Sequence, residues 1–250
     1  HRSLSSLYLT RASDGATIMI YKKPGVGGRV QLLLPQGSNR FILHEATPEE
    51  AKRGEKGGLL REGSGIDLDP RREPWFLQAR AATQPVWIDT GLNIDDKRER
   101  SMASASQACS LRVSKNREFV LGCDFYLLSL CDFLREVRVS DNGVAFILEQ
   151  QGNGQRRVIA HPDSTVVIPL GTNRLAAIDQ LSDSRLRAFL SRTQGKRGDS
   201  PELLHFQDRG VPYFGVFHAL DDEPEGSPNW MIGILLPEND VLAQAESNFW

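Results

Sequence analysis

Apolar and polar positions alternate with period two over residues 5–10 (SSLYLT) and again over 16–21 (ATIMIY), with Ser13-Asp14-Gly15 between them. That pattern predicts a β-hairpin. A glycine-rich loop at 23–28 leads to a further strand at 29–35 (RVQLLLP). The segment Thr47–Leu68 is polar and glycine-rich; Thr47, Pro48 and Glu50 have capping-box spacing for a short helix, which Gly54, Gly57 and Gly58 would end. Another short helix fits residues 73–83, opened by Pro74, with Trp75, Ala79 and Ala82 on one face, and residues 85–89 (PVWID) read as extended. Residues 102–113 and 118–128 form a long hairpin around Ser114-Lys115-Asn116, running into a helix over 127–137.

After residues 140–143 the plan begins again. Strands are predicted at 144–150 and 156–162 around a Gln-Gly-Asn-Gly turn. An amphipathic helix is predicted over 176–192, with Leu181, Leu186, Phe189 and Leu190 on its apolar face. Strands at 202–208, 211–220 and 229–237 follow, then a helix capped at Asn239 or Asp240. The two halves share a plan without a sequence repeat of fixed period. The reading is α+β: two modules in series, each an antiparallel sheet flanked by helices, with the seam at 127–137.

The 250 residues, 40% hydrophobic and 25% charged, suit a globular chain of one large or two small domains. A net charge of −2 gives no bulk attraction to nucleic acid or an anionic membrane. No apolar run reaches the roughly 18 residues of a membrane span. The opening HRSLSSLYLT has neither the pattern of a signal peptide nor an initiator methionine, so the sequence reads as a fragment. Of the three cysteines, Cys109 and Cys123 lie on facing hairpin strands. A two-residue turn sets Cys109 opposite Gly122, and only a one-residue register change would pair the thiols; otherwise they are small buried side chains.

Catalytic motifs are missing. No GxSxG elbow, GK[ST] phosphate loop, HExxH or CxxC occurs, and no nucleophile, base and orienting group come together. His161 and Asp163 in AHPD make a local pair at a strand end without further metal ligands. The sequence nominates no catalytic residue, metal or cofactor.

Two features stand out. The run DPRREPWFLQARAATQPVWID (69–89) gathers Trp75, Phe76 and Trp87 with Arg71, Arg72 and Asp89. It fits either core packing or the wall of a site. The second is Asp124, set inside the apolar strand FVLGCDFYLL. A carboxylate there either faces solvent, caps the following helix, or is buried with a partner and positioned to receive a cation beside aromatic walls.

In these same residues the chain resembles a double Cache domain, the extracytoplasmic sensor module of bacterial transmembrane receptors. DPRREPWFLQA is similar to the family's Asp-Pro-Arg, Pro-Trp-Tyr and Ala; PVWID follows as the second aromatic and acidic segment. FVLGCDFYLLSLCDFL resembles its Gly-x-Asp strand and connecting helix; VAFILEQQGNGQRRVIAHPD, VPYFGVFHAL and NWMIGILLPENDVL resemble the strands of the second module. The resemblance implies two PAS-like modules, here 1–137 (membrane-distal, with the ligand pocket) and 138–250 (membrane-proximal). It also implies a long N-terminal helix and flanking transmembrane helices outside this sequence. It nominates Trp75, Phe76, Trp87, Asp89 and Asp124 as ligand-binding residues, with Ser104 and Ser106 as polar lining. It implies a small-molecule ligand, such as an amine, an extracytoplasmic (periplasmic) setting on an inner-membrane protein, and a homodimer as one assembly option. The chain departs from the pattern at Glu73, where amino-acid-binding relatives carry a carboxylate-gripping arginine. It departs again at Phe76, which lacks a phenolic hydroxyl, and in the short spacing from Trp75 to Trp87 and Asp89. The expected function is a sensor that transmits ligand binding to a cytoplasmic output domain such as a kinase, cyclase or phosphatase, this part itself not an enzyme. The alternative is a ligand-free structural or dimerisation module.

Overall fold

The computed structural model describes residues 4–23, 27–37, 40–64, 69–92, 103–114, 117–151, 154–170, 175–193, 203–220 and 229–247. Strands β1 (Leu4–Arg11) and β2 (Thr17–Lys23) form the predicted hairpin. At its turn Asp14 binds the Arg11 guanidinium and accepts the Ala16 N–H, and Gly15 takes φ +78°. Strand β3 (Gly27–Pro35) extends the sheet.

Beyond it lie two strands that the sequence pattern missed, β4 (Arg40–Ala46) and β5 (Gly58–Ser64). They flank helix α1 (Pro48–Lys52), whose capping box between Thr47 and Glu50 is formed as expected. Gly57 brings the chain back into β5 at φ +72°, where an added Cβ would sit 2.0 Å from the Glu45 carbonyl oxygen, so only glycine fits.

A 3-10 turn (Pro70–Arg72) and helix α2 (Pro74–Ala81) follow. Strands β6 (Val86–Leu92), β7 (Ala103–Ser114) and β8 (Arg117–Tyr126) complete an eight-stranded sheet in the order β5-β4-β3-β2-β1-β8-β7-β6. Alternation along β1 and β2 separates two faces. Ser6, Tyr8 and Thr10 share one face with Met19 and Tyr21, whereas Leu7, Ile18 and Ile20 share the other and are 40–53% exposed.

Helix α3 (Leu127–Glu136) leads to the second sheet. Its strands β9 (Val144–Gln150), β10 (Arg156–Ala160), β11 (Leu204–Asp208), β12 (Val211–Ala219) and β13 (Trp230–Pro237) are ordered β10-β9-β13-β12-β11. Every strand pair with a defined register, in both sheets, is antiparallel. The architecture is thus the expected α+β pair of antiparallel sheets with few helices.

Two helices differ from expectation. The helix predicted over 176–192 begins only at Ser184 (α5, Ser184–Arg192), after the short helix α4 (Ser164–Val167) and a 3-10 turn at Ile178–Gln180. Asp183 is the reason: it stands in extended geometry and its Oδ1 accepts the N–H groups of Arg185 and Leu186, so it starts a helix and cannot lie inside one. The last helix, α6 (Glu238–Ser247), begins ahead of the expected cap. Asp240 instead accepts hydrogen bonds from the Ser140 hydroxyl and from the backbone and side-chain amides of Asn142.

The chain forms two compact units. The first takes residues up to Ile88 together with Ala105–Phe125; the second takes Asp89–Ser104 and most of the chain from Tyr126. The core of the second is dense. Phe189 of α5 packs its ring against Phe146, Phe206 and Phe217. Gly215 and Gly233 make room for the rings of Phe189 and Phe146, since a Cβ at either would lie 2.5 Å or less from the ring. Among the described residues no helix is long and apolar enough to cross a membrane.

Candidate functional site

Strand β8 carries Val120, Gly122 and Asp124 on one face, and β1 lies beside it with Tyr8 opposite Gly122 and Ser6 opposite Asp124. Asp124 is 6% exposed. It neither faces solvent nor caps helix α3, whose first turn has no side-chain cap. Its carboxylate accepts the Ser6 hydroxyl at 2.5 Å on Oδ2 and the Tyr8 hydroxyl at 3.3 Å on Oδ1. These bonds supply part of the hydration a buried carboxylate loses. Gly122 makes the second bond feasible: a Cβ there would lie 2.1 Å from the Tyr8 ring, so its absence lets the ring cross β8 toward Asp124.

The aromatic wall is built on α2. The Trp75 ring meets Tyr8 edge-on at 4.8 Å and Phe76 at 5.6 Å. Phe76, 1% exposed, is a core side chain packed with Ala79 and Val120, and Val86 of β6 lies against this cluster. Trp75 is therefore the wall and Phe76 its support. The predicted helical face held Trp75, Ala79 and Ala82; Phe76, outside that face, packs with Ala79 against Val120.

Trp87 does not join Asp124. It stacks on Phe125 at 5.7 Å, and both residues lie one position beyond side chains of the inner face, Val86 and Asp124. Alternation therefore sends the Trp87–Phe125 pair to the opposite face of the sheet. Asp89 lies on β6 and Ser104 and Ser106 on β7, but their side chains lie outside the described residues. The same holds for Cys109 and hence for its pairing with Cys123.

The arginines of the opening run serve the scaffold. Asp69, 8% exposed, accepts the Arg71 backbone N–H and both Nε and Nη2 of its guanidinium; Arg71 Nη1 reaches the Ser13 carbonyl in the β1–β2 turn. These hydrogen bonds hold the Asp69 carboxyl below its ordinary value against the opposing effect of burial. Arg72 also lies near Asp69, at 4.0 Å. Glu73 is exposed.

Sequence reasoning missed the residues that share this face with Asp124. Ser6 pairs across the sheet with Tyr21, whose hydroxyl donates to Glu45. Gln31 reaches the Tyr21 oxygen at 3.3 Å, and Arg29 lies 3.8 Å from Glu45. Burial first, and then Glu45, push the Tyr21 phenol above its ordinary pKa, so it stays a neutral donor. One signal was available: in SSLYLT the residues between the leucines are hydrogen-bonding ones, and period two puts Ser6, Tyr8 and Thr10 on one side.

In the second unit, His161 is 4% exposed and accepts the Asp163 backbone N–H at Nδ1, with Nε2 3.5 Å from Asp183. Burial opposes ionisation of Asp183, yet His161 and Arg185 hold its carboxyl well below the usual range. Among the described residues no cluster of three or more His, Cys, Asp or Glu could hold a metal ion.

No family model matches the chain. A curated relative, adenylate cyclase 1 of Rhizobium meliloti (strain 1021), is 29% identical over 107 residues, which are 43% of this chain and only 15% of that protein. Solved structures are similar over nearly the whole chain. The ligand-binding domain of the amino acid chemoreceptor PctB of Pseudomonas aeruginosa PAO1, in complex with L-Arg, aligns over 98% of this chain and 71% of its own at 17% identity and a TM-score of 0.54. That of the Pseudomonas fluorescens chemoreceptor CtaA, with L-isoleucine, covers 96% and 71% at 16% identity and 0.51. A methyl-accepting chemotaxis protein X covers 95% and 76% at 14% identity and 0.55. Likeness at such identities is likeness of fold: the chain shares the tandem α+β fold of the ligand-binding domains of bacterial chemoreceptors.

Proposed function

We propose that the chain is the small-molecule-sensing, extracytoplasmic domain of a bacterial membrane receptor, and that its first unit binds an amine or another small cation. The observation that carries this reading is the buried carboxylate of Asp124, set between two hydroxyls, one of them on Tyr8, whose ring meets Trp75 edge-on. A carboxylate beside aromatic rings suits an ammonium group, which gains both charge pairing and contact with ring electrons. The arginines that could have gripped a ligand carboxylate are turned to Asp69, and Glu73 stands exposed. The reading therefore favours an amine without a partnered carboxylate over a zwitterionic amino acid. In this proposal Trp75, Asp124, Ser6 and Tyr8 contact or orient the ligand, and Phe76 supports Trp75. Asp89, Ser104 and Ser106 stay in the proposal as lining from β6 and β7.

Binding would shift the packing of the first unit, and α3 and the C-terminal segment would carry the shift onward to a cytoplasmic output. An adenylate cyclase among the relatives makes a cyclase one such output. Thermal-shift titration with primary mono- and diamines tests the site. Amines should raise the Tm of the wild-type chain and not that of Asp124→Asn. Equal stabilisation of both removes Asp124 from the site. A second reading, a ligand-free module, is favoured by the fact that Ser6 and Tyr8 already engage Asp124; it gains if no amine stabilises the wild type.

A further inference from the structure

The second unit carries an open cavity of about 1140 Å³, and none of the residues predicted from the sequence lines it. It lies between the β9–β10 hairpin, the segment around the 3-10 turn at Ile178–Gln180, and α5. That is a little above the roughly 300–1,000 Å³ usual for small-molecule sites, so a small ligand would fill only part of it. Ala177, Ile178 and Ala188 give it an apolar floor.

Its charges are unusual. Arg156 is half-buried, with its guanidinium 4.5 Å above the Phe217 ring and Nη1 donating to the Thr193 carbonyl at 2.8 Å. Arg187, also half-buried, donates Nη1 to the Leu181 carbonyl. Neither has a carboxylate within ion-pair distance among the described residues, whereas Arg71 and Arg185 are each clamped on an aspartate. Burial pulls Arg156 below its ordinary pKa. Two carboxylates line the same cavity: Asp208 accepts the Ser184 hydroxyl at 2.6 Å, and Asp179 is exposed. Two cations fixed by backbone carbonyls, half-buried, and with no further hydrogen bond from their guanidinium groups among the described residues are prepared for an anion.

We propose that this cavity is a second ligand site, distinct from the Asp124 site, which takes a small oxyanion through Arg156 and Arg187 and rests its apolar body on Ala177, Ile178 and Ala188. The shared chemistry is a planar or tetrahedral group of anionic oxygens, and carboxylate and phosphate sources are separable by experiment.

Isothermal titration calorimetry of the whole 250-residue chain at low salt would use sodium succinate, inorganic phosphate and uncharged succinamide. The expected result is saturable binding of succinate or phosphate and none of succinamide, with succinate preferred for a carboxylate ligand and phosphate for a phosphorylated one. Arg187→Gln should weaken binding about tenfold, the usual effect of losing one charge-assisted contact. Arg156→Gln also removes a packed ring contact, so Arg187→Gln carries the test by itself. Asp124→Asn should bind the anion as the wild type does. The proposal is overturned if neither anion binds the wild type, if Arg187→Gln binds as tightly as the wild type, or if Asp124→Asn abolishes binding.

Discussion

The inner faces of the two sheets solve the same packing problem in opposite ways. In the first unit, a glycine on β8 seats the Tyr8 ring, and the space beside it goes to a carboxylate and two hydroxyls. In the second, glycines on β12 and β13 seat Phe189 and Phe146, and the space beside them goes to Phe206 and Phe217. Both units also share a device: an aspartate that starts a helical turn and clamps the arginine two residues later. Asp69 holds Arg71, which reaches the Ser13 carbonyl, and Asp183 holds Arg185, which reaches the Asn142 carbonyl. Shared rivets with different interiors separate scaffold from site. The aromatic interior is closed by its own side chains, and in the proposed function the polar interior is the one that exchanges partners.

Mutations can break this comparison. The largest effect belongs to Phe189→Ala, which empties the centre of the four-ring cluster and should cost about 3–5 kcal/mol by chemical denaturation, with amine-induced stabilisation of the first unit unchanged. Next comes Asp183→Asn, which strands Arg185 by removing the carboxylate charge while leaving an amide oxygen that can still cap α5. A loss of about 3 kcal/mol is expected, against about 1–2 kcal/mol for Asp69→Asn, whose aspartate caps only a 3-10 turn and faces no histidine. Gly233→Ala and Gly122→Ala should each cost about 1–3 kcal/mol from overpacking. Only Gly122→Ala should also abolish the thermal response to amines, because it moves Tyr8; a retained response would detach Tyr8 from the site.

The smallest effect is that of pH. Asp69 and Asp183 both have folded pKa values below their unfolded ones. Their contribution is present above the unfolded value and is lost as pH falls toward the folded one. At about pH 3.9 Asp183 should already have lost about 0.4 kcal/mol, and more below, with Asp69 changing in the same direction. The Tm of Asp183→Asn should fall less steeply with acid than that of the wild type.

Strands with clean alternation or long apolar runs were legible in the sequence, as were the capping box at Thr47 and the oddity of Asp124. Strands β4 and β5 were not. Phe41 and Ala46 are the buried residues of β4, five positions apart, so neither period two nor a continuous apolar run stands out, and β5 emerges from a glycine-rich stretch that reads as loop. The late start of α5 was hidden because Ala176 and Leu181 are buried without being helical, and burial mimics an apolar helix face. The partners of Asp124 were out of reach for a different reason: Ser6 is 118 residues away, and only the β1–β8 register joins them. The place of Trp87 was hidden because a one-residue step in a strand reverses its face.

The Ser6 hydroxyl on Asp124 has a consequence for how a receptor of this build would report concentration. A cation arriving at that carboxylate meets a tenant already in place, and what it gains is only the difference between its own bond and the one it evicts. On the proposed reading the internal hydroxyl sets a threshold, and tuning such a sensor to scarcer or more abundant signals would need no change in the ligand's own contacts, only a weaker or stronger tenant at residue 6.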